Sequence, residues 1–345
     1  MQLRLFLSQK IIKQGLSVIP SRKRGSGHRL SSQFLHILTI FLWTSLLPLP
    51  VHAETNTVFQ TDFPPADLVP ALPASFGKII YSFNAESPKQ LYIIGISHRG
   101  SFSGNDAVTT IQTQSELYRI GEWLKRNRGL ELLLPEGFFN GNTQVPVKHS
   151  AINVDDLPDE SLLSLDDESL GKRLSDHSRF VNAEMLLMEN LHMQAGQVED
   201  RGLYDAVYNG LLRLGTMEND SQKYLLATSE LRSLQKMRTA YILQKATEVI
   251  DARFSQGTMQ KKQALLTIGL NHLQEIIRSI HQNEINIDSP FAGQDNYVSE
   301  LNLIKEGYGI SVIIPQVLAA DRTVLEMTGL DGILHMASLQ TTDEP

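Results

Sequence analysis

The chain of 345 residues has no cysteine, and this absence limits both its stability and its chemistry. Without thiols, no disulfide can stabilise the fold, and any bound metal ion must be held by histidine, aspartate, glutamate or water. The sequence also lacks a His-x-x-x-His pair, the usual signature of two zinc ligands on one helix. Any metal site would therefore have to be assembled from distant parts of the chain.

Acidic residues are absent from residues 1–53. The basic residues in this stretch are Arg4, Lys10, Lys13, Arg22, Lys23, Arg24 and Arg29. An apolar run at 34–47 follows them, and Val51-His52-Ala53 ends the stretch. This order is typical of a secretory signal peptide, and the apolar run is shorter than the roughly 20 residues of a membrane span. We expect cleavage after Ala53 rather than a retained anchor, and hence a periplasmic or extracellular protein.

Signal cleavage would make the chain strongly acidic. It would remove seven of the 31 basic residues and none of the 38 acidic ones, leaving 24 basic residues and a net charge near −14. Such a charge disfavours binding to nucleic acids and to anionic membrane surfaces. We therefore expect no nucleic-acid partner and, after cleavage, no membrane span. The expected peptide, ester or small-molecule substrate follows from the polar residues at the strand ends, not from the charge.

Apolar and helical patterns alternate over residues 78–330. Strands are predicted at 78–84, 90–97, 130–134, 264–268 and 309–315, and a helix is predicted at 111–126. Strand, helix and strand in succession indicate parallel pairing. The prediction is one α/β domain, with a mainly parallel or mixed central sheet flanked by helices and a helical insertion at about 138–258. Residues 54–77 are predicted to form a proline-rich linker, and residues 331–345 a flexible tail.

Two of the predicted strands end in the same short motif, Gly95-x-x-His98 and Gly269-x-x-His272. Unbroken apolar runs are typical of strands buried on both faces, and each histidine then follows a strand's carboxyl end. Ligands of open α/β sheets bind at that edge. We therefore expect His98 and His272 to lie at equivalent places on one sheet.

A carboxylate completes this set, since Glu136 follows the third long strand in Leu134-Pro135-Glu136-Gly137. Two imidazoles and a carboxylate can hold a divalent ion of the Mn, Co or Zn class with open positions, which would activate water. The same three side chains can instead perform metal-free acid–base chemistry. The spacing does not separate the two possibilities.

The ordered set Gly95-x-x-His98, Glu136, Arg238 on a predicted helix and Gly269-x-x-His272 resembles the TraB/TIKI superfamily over roughly residues 78–316. That superfamily includes GumN-like proteins, erythromycin esterases and ChaN-like haem-binding lipoproteins. The resemblance implies that His98, Glu136 and His272 are catalytic or metal-facing. It also implies that Arg238 stabilises an oxyanion or holds a substrate carboxylate. Thr239 follows the arginine, where the superfamily commonly has Asn or Asp.

Further acidic residues are weaker candidates for the site. Glu184 and the pair Glu199 and Asp200 are second-tier candidates, and Glu199-Asp200 resembles a Val-Glu-Asp loop of some superfamily members. Glu189 and His192 share a helix face, but a single Glu-x-x-His pair does not make the two-copy di-iron motif.

We expect from these observations an exported hydrolase of peptide or ester bonds, with water activated between His98, Glu136 and His272. One alternative is a haem or small-ligand binding protein in which a histidine is an axial ligand. A second alternative is a catalytically degenerate member with a scaffold role.

Overall fold

The computed structural model describes residues 71–97, 108–139, 165–176, 180–217, 222–287 and 297–333. The strands in these ranges are β1 (Gly77–Phe83), β2 (Gln90–Ile96), β3 (Leu132–Pro135), β4 (Gln194–Ala195), β5 (Gln263–Gly269), β6 (Glu284–Ile287), β7 (Tyr297–Glu300) and β8 (Gly309–Pro315). The helices are α1 (Val108–Arg128), α2 (Asp167–Ser175), α3 (Ala183–Leu191), α4 (Arg201–Leu214), α5 (Gln222–Ser255), α6 (Leu273–Gln282), α7 (Asn302–Lys305), α8 (Gln316–Ala319) and α9 (Arg322–Thr328). A single 3-10 turn, Leu270–His272, joins β5 to α6.

Six strands form the central sheet in the order β1-β8-β2-β5-β3-β4. Strand β1 is antiparallel to β8, and the remaining neighbours are parallel. The predicted α/β class with a mainly parallel or mixed sheet flanked by helices is therefore confirmed. The described helices include no segment with both the length and the hydropathy of a membrane span.

The crossovers bring the ends of distant strands together. Helix α1 connects β2 to β3, but these strands are not neighbours, because β5 lies between them. Ile96 at the end of β2 is opposite Gly269 at the end of β5, and Pro135 at the end of β3 is opposite Thr267. The carboxyl ends of these three strands therefore share one edge. The two Gly-x-x-His motifs are offset by one residue in this register, because Gly95 pairs with Ile268.

Helices cover both faces of the sheet, so the central strands are apolar on both sides. Alternate residues such as Ile94 and Leu265 pack under α1, α2 and α3. The intervening residues, such as Ile93 and Leu266, pack under α5 and α6. This burial explains why β2 and β5 are unbroken apolar runs rather than alternating ones.

The predicted elements differ from the observed ones at short segments. Strands β4, β6 and β7 were not predicted, because two to four residues are too few for a periodic pattern. Helices α2 to α5 lie within residues 138–258, the predicted helical insertion. Residues 1–70 and 334–345, which hold the predicted signal peptide, most of the linker and most of the tail, lie outside the described residues.

Close packing explains why the first Gly-x-x-His motif has a glycine at position 95. A Cβ atom at this position would lie 2.4 Å from Leu273 Cδ1 and 2.8 Å from Leu270 Cδ1. Leu273 is fully buried, so it has little room to move away. Glycine therefore lets the start of α6 sit directly on β2.

Gly95→Ala is expected to lower the free energy of unfolding by about 1–3 kcal/mol, because the added methyl group overpacks this contact. The measurement is urea unfolding followed by circular dichroism. Gly171→Ala is the control, since a Cβ there meets nothing within 4 Å and the helix interior favours alanine. Equal stability of Gly95→Ala and the natural protein would contradict this account of the packing.

Candidate functional site

Glu136 is fixed at the shared edge of the sheet by both its backbone and its side chain. Its backbone N–H donates to the Thr267 carbonyl at 2.9 Å, and its Oε2 accepts the Gly269 N–H at 2.5 Å. The next residue, Gly137, has a φ of +77°, which a glycine adopts without strain and which turns the chain away from β3. The carboxylate is therefore held between the ends of β3 and β5.

Arg238, in the middle of α5, binds two glutamates. Its Nη1 lies 2.7 Å from Glu136 Oε1. Its Nε donates to Glu199 Oε2 at 3.0 Å, and its Nη2 donates to the other oxygen of Glu199. Glu199 also accepts the Gly137 N–H at 3.0 Å. The guanidinium thus ties the end of β3 to the loop between β4 and α4.

This cluster is shielded from solvent. The exposed fractions of the side chains are 8% for Arg238, 7% for Glu136 and 0% for Glu199. Burial by itself would lower the pKa of Arg238, but the carboxylates of Glu136 and Glu199 outweigh this effect and raise that pKa above its ordinary value. Arg238 therefore keeps its positive charge, and its Cζ atom lies 5.2 Å from the centre of the Tyr204 ring.

The two ring nitrogens of His272 have different neighbours, Thr239 at Nδ1 and Glu136 at Nε2. Thr239 Oγ1 donates its single hydrogen to the Gln235 carbonyl at 3.0 Å, and it lies 2.7 Å from His272 Nδ1. When this hydroxyl donates to the carbonyl, it accepts from Nδ1–H, and the neutral imidazole then carries its proton on Nδ1. The lone pair of Nε2 then faces Glu136 Oε1 across 3.6 Å. His272 keeps 14% of its side chain exposed, so solvent reaches it.

The gap between His272 and Glu136 suits a water molecule. A distance of 3.6 Å is too long for a direct hydrogen bond, but a water about 2.8 Å from both atoms could donate to each. Nδ1 is held by Thr239, and Nε2 can accept a proton from the water. This is the arrangement of a general base.

A divalent ion fits the described donors poorly. Two ligand atoms about 2.1 Å from one ion lie about 3.4 Å apart at a tetrahedral angle, so the distance alone permits shared coordination. However, Glu136 Oε1 is already ion-paired with Arg238, and Glu136 Oε2 already accepts the backbone N–H of Gly269. A metal ion on Oε1 would face a permanent positive charge. Within the residues that the structure describes, no three His, Asp or Glu side chains form a metal-binding group.

The predicted site residues have different outcomes. Glu136, Arg238, His272 and the second-tier Glu199 lie together. Asp200 caps α4 by accepting the Leu203 N–H at 3.0 Å. His98 lies outside the described residues, so its predicted position beside His272 stays a prediction.

The remaining candidates face away from this cluster or have other partners. Glu184 accepts a hydrogen bond from Thr267 Oγ1 at 3.1 Å, on the face of the sheet that α3 covers rather than the face under α5. Glu189 pairs with Arg173 at 2.8 Å, and His192 is the left-handed residue that ends α3.

Sequence reasoning missed the role of Thr239, although the residue was noted as a departure from the superfamily pattern. Its hydroxyl sits one position after Arg238 on α5, and it is what orients His272. Sequence reasoning also gave Glu199 no link to Arg238, because the two are 39 positions apart and on different elements. The sequence signal for Glu199 was the resemblance of Glu199-Asp200 to a Val-Glu-Asp loop of some superfamily members.

Glu199→Gln is expected to lower the free energy of unfolding by about 3–5 kcal/mol, because it removes one charge of a fully buried pair and leaves Arg238 partly uncompensated. The measurement is chemical denaturation at neutral pH. The matched control is Glu248→Gln, which breaks the exposed pair with Lys245 and should change stability by less than about 1 kcal/mol. A similar small change in both variants would contradict a structural role for the buried pair.

Comparison with protein-family models, with curated proteins and with solved structures found no match to this chain. The likeness to the TraB/TIKI superfamily therefore depends on the motifs alone, and the functional argument depends on the geometry of the site.

Proposed function

We propose that this protein is an exported hydrolase in which His272 activates a water molecule for attack on an ester carbonyl. The observation that carries the proposal is the orientation of His272, with Nδ1 held by Thr239 and Nε2 facing the Glu136 carboxylate across 3.6 Å. The signal-like segment at residues 1–53 supports export.

The chemistry follows from the charges around the imidazole. A water in the gap donates one hydrogen to His272 Nε2 and the other to Glu136 Oε1. As its oxygen attacks the carbonyl carbon, the proton moves to Nε2 and the ring becomes an imidazolium. Thr239 Oγ1 at Nδ1 and Glu136 Oε1 near Nε2 are then the oxygen atoms that face the two N–H groups of the ring. The imidazolium then returns the proton to the departing alkoxide as the carbon–oxygen bond breaks.

Arg238 acts here as a positioning residue. Three of its N–H groups are engaged by Glu136 and Glu199, which fixes the carboxylate that faces His272. This differs from the role that the superfamily resemblance implies, in which the arginine binds an oxyanion or the substrate. Burial and the double ion pair support the positioning role.

Ester bonds suit this arrangement better than peptide bonds. An alkoxide leaves more easily than an amide nitrogen, which must be protonated before the bond breaks, so ester hydrolysis demands less of the general acid. Peptide hydrolysis is often assisted by a metal ion that polarises the carbonyl group. Here Glu136 is ion-paired with Arg238, which disfavours binding of a metal ion to the same carboxylate.

His272→Ala is expected to reduce kcat/KM for a p-nitrophenyl ester by about 10²–10⁴-fold, the usual contribution of a general base. Thr239→Val should reduce it by at least about tenfold, because the ring loses the acceptor that holds its proton on Nδ1. The assay is initial-rate kinetics on the purified protein lacking residues 1–53. His281→Ala, which changes an exposed histidine at the end of α6, is the control and should be neutral.

Three results would overturn this proposal. Unchanged turnover in His272→Ala would remove the general base. Activity that is lost with a chelator and restored by Mn²⁺, Co²⁺ or Zn²⁺ would support the metal-dependent alternative. Absence of ester turnover together with a Soret band on adding haemin, lost in His272→Ala, would support the ligand-binding alternative.

A further inference from the structure

Two segments of the chain leave the carboxyl edge of the sheet side by side, next to the proposed hydrolase site at His272. The first segment follows β3 and the second follows β4, which are neighbouring strands. The Gly137 N–H donates to Glu199 Oε1 at 3.0 Å, so the segments are joined just beyond the strands. Two residues further along each segment, the Arg201 guanidinium lies over the ring of Phe139, with Cζ 3.7 Å from the ring centre. Arg201 therefore lies at the same edge of the sheet as the hydrolase site.

Arg201 is close enough to His272 for one small substrate to contact both. His272 follows β5 and Arg201 follows β4, with β3 between these two strands. Neighbouring strands are about 4.8 Å apart, so the two chain segments are separated by about 10 Å across the sheet. Phe139 follows the middle strand, so the contact with its ring directs the guanidinium from β4 toward the His272 side of the edge.

The guanidinium of Arg201 is accessible to a ligand. The residue is exposed to solvent, and it has no hydrogen bond or ion pair with another residue that the structure describes. Stacking on an aromatic ring occupies the face of a guanidinium and leaves the N–H groups around its rim free to bind an anion. Arg238, by contrast, is buried and bound to two carboxylates. Of these two arginines, Arg201 is the one that a substrate in solution can reach.

The stacking also fixes the position of this cation. Phe139 is only 5% exposed, and its ring packs edge-on against the ring of Tyr204 with 5.3 Å between the ring centres. Tyr204 comes one turn after Arg201 on α4, and its ring centre lies 5.2 Å from Arg238 Cζ. Two packed rings thus connect the surface cation to the buried one. An arginine held in this way loses less side-chain entropy on binding an anion than a freely moving one.

We propose that Arg201 determines the substrate specificity of the hydrolase site by binding a carboxylate of the substrate, so that the preferred ester also carries an anionic carboxylate group. This inference rests on the proposed function, because it assigns the substrate class of the same site. A planar guanidinium forms two parallel hydrogen bonds with a carboxylate. The ester carbonyl then lies beside the water between His272 and Glu136, about two strand spacings from the bound carboxylate.

Three esters with the same acetyl group and different charges test this inference. 4-Acetoxybenzoate carries a carboxylate, 4-acetoxybenzamide is its neutral isostere, and 4-acetoxyphenyltrimethylammonium carries a cation. Each kcat/KM is divided by the rate constant of the same ester with hydroxide, which corrects for the different leaving groups. The natural protein should give a corrected kcat/KM for 4-acetoxybenzoate at least about tenfold above that for the benzamide, and the lowest value for the cation.

Arg201→Gln should lower kcat/KM for 4-acetoxybenzoate by about tenfold, mainly through a higher KM, because the carboxylate is bound equally in the ground state and the transition state. The value for 4-acetoxybenzamide should stay within about twofold of that of the natural protein. Arg322→Gln is the matched control. It removes another exposed arginine that is the first residue of a helix after an aspartate cap, and it should change neither value.

Binding of a ketone analogue separates this inference from the hydrolase proposal. 4-(2-Oxopropyl)benzoate has a methylene group in place of the ester oxygen, so it cannot be hydrolysed. Isothermal titration calorimetry should show equal binding to the natural protein and His272→Ala, and binding at least about tenfold weaker to Arg201→Gln. If ester turnover is absent while this binding pattern holds, the hydrolase proposal fails and the carboxylate site stands.

Three results would overturn the assignment of Arg201. The first is an equal corrected kcat/KM of the natural protein for 4-acetoxybenzoate and 4-acetoxybenzamide. The second is an undiminished preference for the anion in Arg201→Gln, since the carboxylate would then be recognised elsewhere. The third is no binding of the ketone analogue at roughly 10 mM. Circular dichroism of each variant checks that a lost signal reports a lost contact rather than unfolding.

Discussion

The buried ion pairs of Arg238 with Glu136 and Glu199 are the constraint on which the site depends. Three charged groups taken out of water are costly, and their attraction repays that cost only when the geometry and the remaining hydrogen bonds are good. Here the guanidinium binds both carboxylates, and Gly269 and Gly137 donate backbone N–H groups to them. Removing Arg238, Glu136 or Glu199 would leave a buried charge without its ion-pair partner.

This cluster links parts of the fold that the sheet alone leaves separate. Glu136 belongs to the end of β3, Glu199 to the loop before α4, and Arg238 to the long helix α5 on one face of the sheet. Because α5 also carries Thr239, the helix that anchors the carboxylate also orients the imidazole facing it. The position of His272 relative to Glu136 is therefore set by packing of α5 against the sheet edge, not by a flexible loop.

The two edges of the sheet differ in how their polar groups are satisfied. At the carboxyl edge, the charged groups of Arg238 and the two glutamates are matched to one another, which rigidifies the site and leaves His272 as the group open to solvent. At the amino edge, Arg128 Nε and Gln263 Oε1 have no hydrogen-bond partner among the residues that the structure describes. The two edges therefore differ in how completely hydrogen bonds and ion pairs fix their polar side chains.

The sequence by itself determined the long buried strands, their parallel arrangement and the placement of Glu136 and His272 at strand ends. These features depend on local patterns, because an apolar run bounded by polar residues needs only its neighbours in the chain to be recognised. Gly95 was also visible as part of a motif, although its reason, the close approach of Leu273, was not.

Only the tertiary structure decided the order of the strands, with β5 between β2 and β3, and the partners of each polar group. Glu136 meets Gly269 across 133 positions, and Arg238 meets Glu199 across 39. Such pairings are chosen by how helices and strands pack in three dimensions, and no spacing along the chain encodes them. The orientation of the His272 ring follows from the same cause, since Nδ1 contacts a threonine on a helix that reaches the histidine only after the chain has folded.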